Sequence, residues 1–262
     1  MTDFLSLHQP GKPLVMPNPW DAGSAKLLES LGFEALATTS SGFAATLGRL
    51  DGNVTRDEAI AHAAAIVGAV DVPVSADLEN GFADAADGVA ETVRLARESG
   101  LAGCSVEDWS GEAIYEREHA AERVAAAVEA ARAGGERFVL TARAENHIHG
   151  VDDLADTITR LQAYQEAGAD VLYAPGITDL DQIRELVASV DRPVNVLALP
   201  AAPPVSELAG AGVARVSIGG GFAYVAMGAV VRAANELTED GTYGFWDTAA
   251  AGVTAWRRAA GA

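Results

Sequence analysis

The chain has 262 residues, 49% of them hydrophobic and 21% charged, which is enough apolar material for one large core and allows a single barrel-type domain at this length. A formal net charge of −19 excludes phosphate backbones and anionic membranes as partners, because both would be repelled. A single cysteine, Cys104, excludes an internal disulfide framework and any cysteine-rich metal cluster. The opening MTDFLSLHQPGKP carries no charged-then-apolar targeting pattern. The longest apolar run, Val216 to Val231, is glycine-rich and shorter than the ~20 residues a membrane helix needs. These features lead us to expect a cytoplasmic protein.

In chain order, short β-type runs alternate with longer Ala-rich helical stretches. The runs are PLVMPN (13–18), EALATTS (34–40), PVSADL (73–78), GCSVED (103–108), FVLTARA (138–144), DVLYAP (170–175), PVNVLAL (193–199) and ARVSIG (214–219). Helical stretches such as AGSAKLLESLG, ADGVAETVRLARESG and LADTITRLQAYQEAG lie between them, several ending in a Gly suited to a left-handed C-terminal cap. Strands alternating with helices imply parallel pairing through right-handed crossovers. About eight units with no break in composition predict one (β/α)₈ TIM barrel over residues 1–262. A doubly wound sheet would need a G-x-G-x-x-G turn after the first strand, where the chain reads MPNPWDAGSA. FWDTAAAGVTAWRRAA, beyond the eighth unit, predicts an additional helix at about 246–259, whose Trp246 and Trp256 must pack on something, a neighbouring subunit being one possibility.

In such barrels the site lies at the C-terminal ends of the strands. The third strand ends in Asp77 and Glu79, which regular alternation places on one face. The fourth ends in Glu107, with Asp108 turned to the other face, and the fifth in Arg143, Glu145 and Asn146. The loop after the second strand carries Ser40, Ser41, Gly42 and, further on, Asp51. Four carboxylates (Asp51, Asp77, Glu79 and Glu107) meeting at one rim would repel one another, and a hard dication such as Mg²⁺ removes the conflict. The plain alternative is helix capping and ion pairing with arginines. Arg143, after an apolar Val-Leu-Thr-Ala, suits bidentate recognition of a carboxylate or phosphate, and an ion pair with Glu107 or Glu145 is compatible with that role. TTSSG reads as a glycine-bearing turn able to hold an oxyanion on its N–H groups.

Other features carry less. Asp21 is as readily a helix N-cap as a ligand. Cys104 reads as a small core residue. The His147-x-His149 pair suggests a zinc-dependent hydrolase barrel, but a catalytic zinc wants three protein ligands, and His8, His62 and His119 are poorly spaced to supply one. Gly219, Gly220 and Gly221 either cradle a phosphate or let the next helix pack closely.

Together, PNPWDAGSA, TTSSGFAATLGRLDG, ADLENGF, SVEDWSG and TARAEN make the chain resemble the isocitrate lyase/phosphoenolpyruvate mutase superfamily over nearly its whole length. The resemblance implies a barrel whose last helix is exchanged between subunits of a homodimer or homotetramer. It implies Mg²⁺ (or Mn²⁺) and a small 2-oxo or 2-hydroxy carboxylate substrate passing through a pyruvate-type enolate, hence a lyase of C–C or P–C bonds. By position, Asp77 resembles the direct metal ligand, Glu79 and Glu107 water-mediated ones, and Asp51 an outer member. Trp20, Ser40, Ser41 and Gly42 resemble the substrate wall and oxyanion turn, Arg143 the substrate grip, and Asn195 the far side.

Two departures stand out. The superfamily's carbon–carbon lyases carry a Lys-x-Cys-Gly-His flap after the fourth strand, where this chain has WSGEAIYEREH, with neither Lys nor Cys. Glu112, Tyr115 and His119 are the candidate replacements for the missing acid. The metal motif is Asp-Leu-Glu where many members have Asp-x-Asp. True isocitrate lyase activity is therefore not expected, and a non-catalytic barrel that binds small acids is the rival reading. A Schiff-base aldolase is disfavoured, because neither Lys12 nor Lys26 lies at a strand end.

Overall fold

A computed structural model describes residues 3–135 and 137–261, so residues 1, 2, 136 and 262 of the expected domain lie outside the described part. Eight parallel strands form one sheet: β1 (Leu14–Met16), β2 (Leu36–Ala37), β3 (Val74–Asp77), β4 (Gly103–Glu107), β5 (Val139–Arg143), β6 (Val171–Tyr173), β7 (Val194–Leu197) and β8 (Arg215–Ser217). Their order is β1-β8-β7-β6-β5-β4-β3-β2. Each lies inside its expected run. The strands are nearly continuous apolar segments because both faces are covered; in β5, Val139, Leu140, Thr141 and Ala142 are all buried.

The sheet curls into the expected (β/α)₈ barrel, and its seam lies between β1 and β2. There the Ala37 N–H donates to the Pro17 carbonyl at 3.1 Å. Asn18 reinforces the seam. Its amide donates to the Thr38 carbonyl at 2.9 Å and its Oδ1 accepts from the N–H groups of Ile218 and Gly219, each at 2.9 Å. One buried side chain thus ties the ends of β2 and β8 across β1.

Among the described residues, ten α-helices connect and follow the strands: α1 (Ala22–Ser30), α2 (Ser40–Thr46), α3 (Arg56–Val67), α4 (Ala86–Glu98), α5 (Arg117–Arg132), α6 (Leu154–Glu166), α7 (Leu180–Ala188), α8 (Val205–Gly210), α9 (Gly221–Asn235) and α10 (Trp246–Ala259). Local chemistry sets their starts. Asp21 caps α1 by accepting from the Ser24 N–H at 2.6 Å in a capping box, which settles its role as a cap. Thr55 caps α3 in a second capping box, and Asp153 and Asp179 cap α6 and α7 by accepting from first-turn N–H groups. The stretch expected as a TTSSG turn is instead the first turn of α2, with Thr39 as its cap. Gly42 is buried there, and a Cβ would lie 2.6 Å from Thr39 Cγ2 and 3.2 Å from Trp20 Cβ, so only glycine fits.

The N-terminal end of the barrel is closed by a 3₁₀ turn, Phe4–Leu7, whose Phe4 is buried. Behind it, His8 donates from Nδ1 to the Phe4 carbonyl at 3.0 Å and accepts at Nε2 from Arg215 Nη1 at 3.3 Å. Arg215 crosses the barrel interior with further bonds to Thr141 Oγ1 (3.1 Å) and Asn195 Oδ1 (3.0 Å).

The C-terminal part is different in character. In α9 Ala223 is buried, while Tyr224, Val225, Val230 and Val231 are exposed. Helix α10 has the expected bounds and lies against α1 of its own chain. No helix among the described residues is long and apolar enough to cross a membrane.

Candidate active site

A cleft of about 680 Å³ opens at the C-terminal ends of the strands, bordered by Ser40, Asp51, Glu79, Glu107, Arg143 and Glu145 among others. Strand register places its acids. β4 and β5 pair Glu107 with Arg143, while β3 and β4 pair Asp77 with Ser105, so Asp77 meets Arg143 from a register lower than that of Glu107.

Arg143 sits at their centre. Its Nη1 lies 2.9 Å from Asp77 Oδ1 and 3.0 Å from Glu107 Oε2, and its Nε lies 3.0 Å from Glu145 Oε1. One nitrogen therefore bridges two carboxylates, and the ion pairs with Glu107 and Glu145 are both present. Burial alone would lower the arginine's pKa, but Glu107, Glu145 and Asp77 together lift it well above its usual value. The guanidinium is a permanent cation.

Even so, negative charge is in excess. Burial, then Asp77 and Asp51, push the Glu79 carboxyl up to about 7. Burial, with Glu145, Asp77 and Glu79 adding to it, raises Glu107 well above the usual carboxylate range despite Arg143. Asp51 stays on the solvent side of the rim, with its carboxyl raised by partial burial and by Asp77. These are oxygen donors in want of positive charge, the chemistry a hard dication satisfies. Among the described residues no three His, Cys, Asp or Glu side chains gather closely enough to hold an ion by themselves.

The expected alternation of Asp77 and Glu79 is broken. β3 ends at Asp77, and Glu79 takes a left-handed backbone with φ 49°, as does Phe82 at φ 55°. Such backbone in non-glycine residues is uncommon and is held here by its surroundings. Arg123 does much of the holding. Almost fully buried on the inner face of α5, it donates to the carbonyls of Asn80, Ala83 (2.9 Å) and Glu107 (3.1 Å). It thereby ties the loop after β3 to the end of β4. A sequence search confined to strand ends passes over it, although an arginine among Ala120, Val124, Ala127 and Val128, on the apolar stripe of a helix, is itself a signal.

A second support is only half visible in the sequence. Asp108 does face away from the cleft, as expected, and its carboxylate accepts from Tyr164 Oη (2.5 Å), Arg160 Nη1 (3.3 Å) and the Glu145 N–H (2.8 Å). Arg160 also donates to the Tyr115 carbonyl at 2.7 Å, which joins the flap to the same network.

The remaining expected residues separate into two groups. Ser40 reaches the site, with its Oγ 3.1 Å from Asp77 Oδ2 and its N–H directed at the same oxygen. Trp20, Ser41 and Gly42 stand behind it and do not border the cleft. Trp20 presents its Cβ to Gly42, and Ser41 lies beside Gly220. Asn195 is buried in the barrel interior with both ends of its amide engaged, by Ser217 Oγ at 2.9 Å and by Arg215, so it is not free to reach the rim. The glycines after β8 serve close packing, since a Cβ on Gly220 would lie 2.5 Å from Ser41 Oγ.

The flap candidates point elsewhere. Tyr115 Oη donates to Asp84 and His119 Nε2 approaches the Asp84 carbonyl at 3.1 Å, while Glu112 is exposed and does not border the cleft. Cys104 is fully buried in β4, and burial raises its thiol far above the usual range. The His-x-His pair diverges. His147 pairs with Asp152 at 3.4 Å, whereas His149 stacks on Trp109 at 3.6 Å.

The eight-stranded parallel barrel carries its acids and clamped arginine at the C-terminal rim, where enzymes of this fold hold their active sites. The family model described as phosphoenolpyruvate phosphomutase matches residues 4–238, and the chain belongs to that family, within the isocitrate lyase/phosphoenolpyruvate mutase superfamily. It is 32% identical over 222 residues to 2-methylisocitrate lyase of Escherichia coli K12, covering 76% of this chain and 74% of that one. A solved protein of Burkholderia cenocepacia J2315, described as a lyase/mutase, is 54% identical with a TM-score of 0.90 and covers 93% of this chain and 89% of its own. Phosphonopyruvate hydrolase, solved in complex with oxalate and Mg²⁺, is 26% identical with a TM-score of 0.82, covering 94% of this chain and 89% of its own. The superfamily comprises lyases, mutases and hydrolases that act on small acids.

Proposed function

We propose that the protein is a Mg²⁺-dependent lyase that cleaves or forms a C–C or P–C bond in a small 2-oxo or 2-hydroxy acid through a pyruvate-type enolate. The observation that carries the reading is Arg143 Nη1 within 3.0 Å of both Asp77 and Glu107, below a rim whose other acids are driven towards protonation. Such a rim is a place for positive charge and for an anionic ligand together.

Asp77 would hold the ion directly, with Glu79 and Glu107 acting through waters and Asp51 at the edge. When bound, Mg²⁺ supplies the charge that offsets these carboxylates and stabilises an enolate oxygen. Arg143 then has guanidinium N–H bonds to give to a substrate carboxylate, while Glu145 keeps the guanidinium plane in place through Nε. Ser40 adds its N–H and hydroxyl beside Asp77, and Trp20, Ser41, Gly42 and Asn195 support the site from behind. The Glu79 turn is held by Arg123, which fixes the loop that carries this acid.

The test is a panel of oxaloacetate, alkylmalates, phosphonopyruvate and 2-methylisocitrate, each with Mg²⁺ or with chelator, following release of a 2-oxo acid. Chelator-sensitive turnover of at least one small acid is the expected result. Binding of such acids with no turnover of any would favour the non-catalytic small-acid barrel instead.

A further inference from the structure

The enolate reading needs a group at the cleft that moves a proton to and from carbon, but the flap has neither Lys nor Cys, Tyr115 and His119 are engaged with Asp84, and Glu112 is exposed and does not border the cleft. We propose that His149, from the loop after β5, is the residue that exchanges a proton with the reacting carbon, an inference that rests on the enolate reading above.

Its position is built. A 3₁₀ turn, His147–His149, follows β5 directly, and the His149 N–H donates to the Glu145 carbonyl at 3.2 Å. Gly150, at φ +78°, then ends the turn. The imidazole lies flat on the Trp109 indole, with ring centres 3.6 Å apart and planes 12° apart. Its Nε2 faces Glu145 Oε2 at 3.7 Å. Glu145 is in turn held by Arg143 through its other oxygen and by Asp108 through its backbone N–H, and only 2% of it is exposed. The Trp109 stack thus sets the plane of the imidazole, and a buried, fixed carboxylate stands beside it at 3.7 Å, longer than a hydrogen bond. Among the described residues the other ring nitrogen has no protein partner, and the ring borders the cleft.

The other proton-bearing groups there are less suited. Asp51, Glu79 and Glu107 are the set that a dication would hold ionised, and Arg143 does not release its proton. The groups acting on the ring are Glu145, Arg143 and Asp108. Burial, then Arg143, lowers the imidazole below its ordinary value, so it is neutral and able to accept a proton near pH 7.

The step balances without a co-reactant. In the enolate-forming direction a C3–H bond of pyruvate breaks, its proton passes to the free ring nitrogen, and the electron pair stays on the substrate as the enolate. The reverse step breaks that N–H bond and forms C–H.

In D₂O the ring would carry deuterium back to carbon, so loss of the pyruvate methyl signal in proton NMR reads the step directly. We expect Mg²⁺-dependent exchange by the wild type. Both His149→Gln and His149→Ala should fall at least about 100-fold, the low end of the usual range for such catalysis. Oxalate affinity should stay within about twofold for both, and added imidazole should restore part of the exchange in His149→Ala. A merely structural role would not produce that rescue. Variants that exchange at the wild-type rate would overturn the inference, as would a wild type that binds oxalate but exchanges nothing. A wild type that fails to bind oxalate with Mg²⁺ would instead overturn the enolate reading itself.

Discussion

Single residues in this barrel act by tying distant backbone together, and His8 shows how that makes stability depend on pH. Its ring must be neutral at Nε2 to accept from Arg215, itself a fully buried cation whose hydrogen bonds go to neutral groups. Burial, and then Arg215, lower the His8 pKa from 6.5 to about 3. Between those values the unfolded chain binds a proton that the folded chain refuses. The contribution of His8 is therefore fully present above pH 6.5, declines as the pH falls towards 3, and changes no further below that. The loss is at most about 5 kcal/mol, because a tenfold change in proton affinity corresponds to about 1.4 kcal/mol. Urea unfolding across this interval should give a flatter pH dependence for His8→Gln than for the wild type. Equal slopes would mean that His8 is not held neutral.

Much of the site was legible at this scale, because Asp77, Glu79, Glu107 and Arg143 are charges in apolar surroundings at strand ends. Asn18 and Arg123 were not, because each works through carbonyls and N–H groups far away in the chain, Asn18 reaching Ile218 and Gly219 and Arg123 reaching Asn80. His149 was visible as half of a His-x-His pair. Only the stack on Trp109 and the facing Glu145 show what the residue is placed to do.

Elements were easier to read than their edges. All eight strands and the last helix stand where periodicity and terminal glycines put them, yet TTSSG proved to be a helix start, because Thr39 caps it and buried Gly42 lets it pack on Trp20. The alternation expected through Glu79 failed for a related reason, since the backbone turns left-handed as soon as β3 ends. The C-terminal elements carry the prediction at this scale. Helix α9 exposes a row of large apolar side chains, and α10 covers α1 with Trp256 close to Gly23. Glu236 pins the connection between them through Thr242 Oγ1 and the N–H groups of Gly244 and Phe245. We expect a homodimer or homotetramer held partly through this region; the exchange of the last helix that the resemblance implies is not what this chain shows, because α10 lies on α1 of the same chain. A chain ending at Gly244 should elute in light scattering as smaller or aggregated species. Full-length mass and unchanged melting of the truncated chain would contradict that assembly.

At the scale of the whole molecule, a family scaffold is kept while the flap has changed. Although 32% identical to a 2-methylisocitrate lyase, the chain lacks the flap thiol, and its one cysteine is sealed inside β4. Negligible isocitrate and 2-methylisocitrate cleavage is therefore expected in a coupled product-release assay, and robust turnover would show that another group replaces the thiol. In the proposed function, Asp77 and its neighbours assemble around Mg²⁺ to hold an enolate-like anion. Calorimetric titration of oxalate, a mimic of the pyruvate enolate, into the wild type and into folded Asp77→Ala, each with Mg²⁺ or chelator, tests it most directly. Binding is expected in the wild type with Mg²⁺ and not with chelator, and its loss is expected in Asp77→Ala with circular dichroism unchanged. Oxalate binding that is indifferent to Mg²⁺, or that survives in Asp77→Ala, would contradict it.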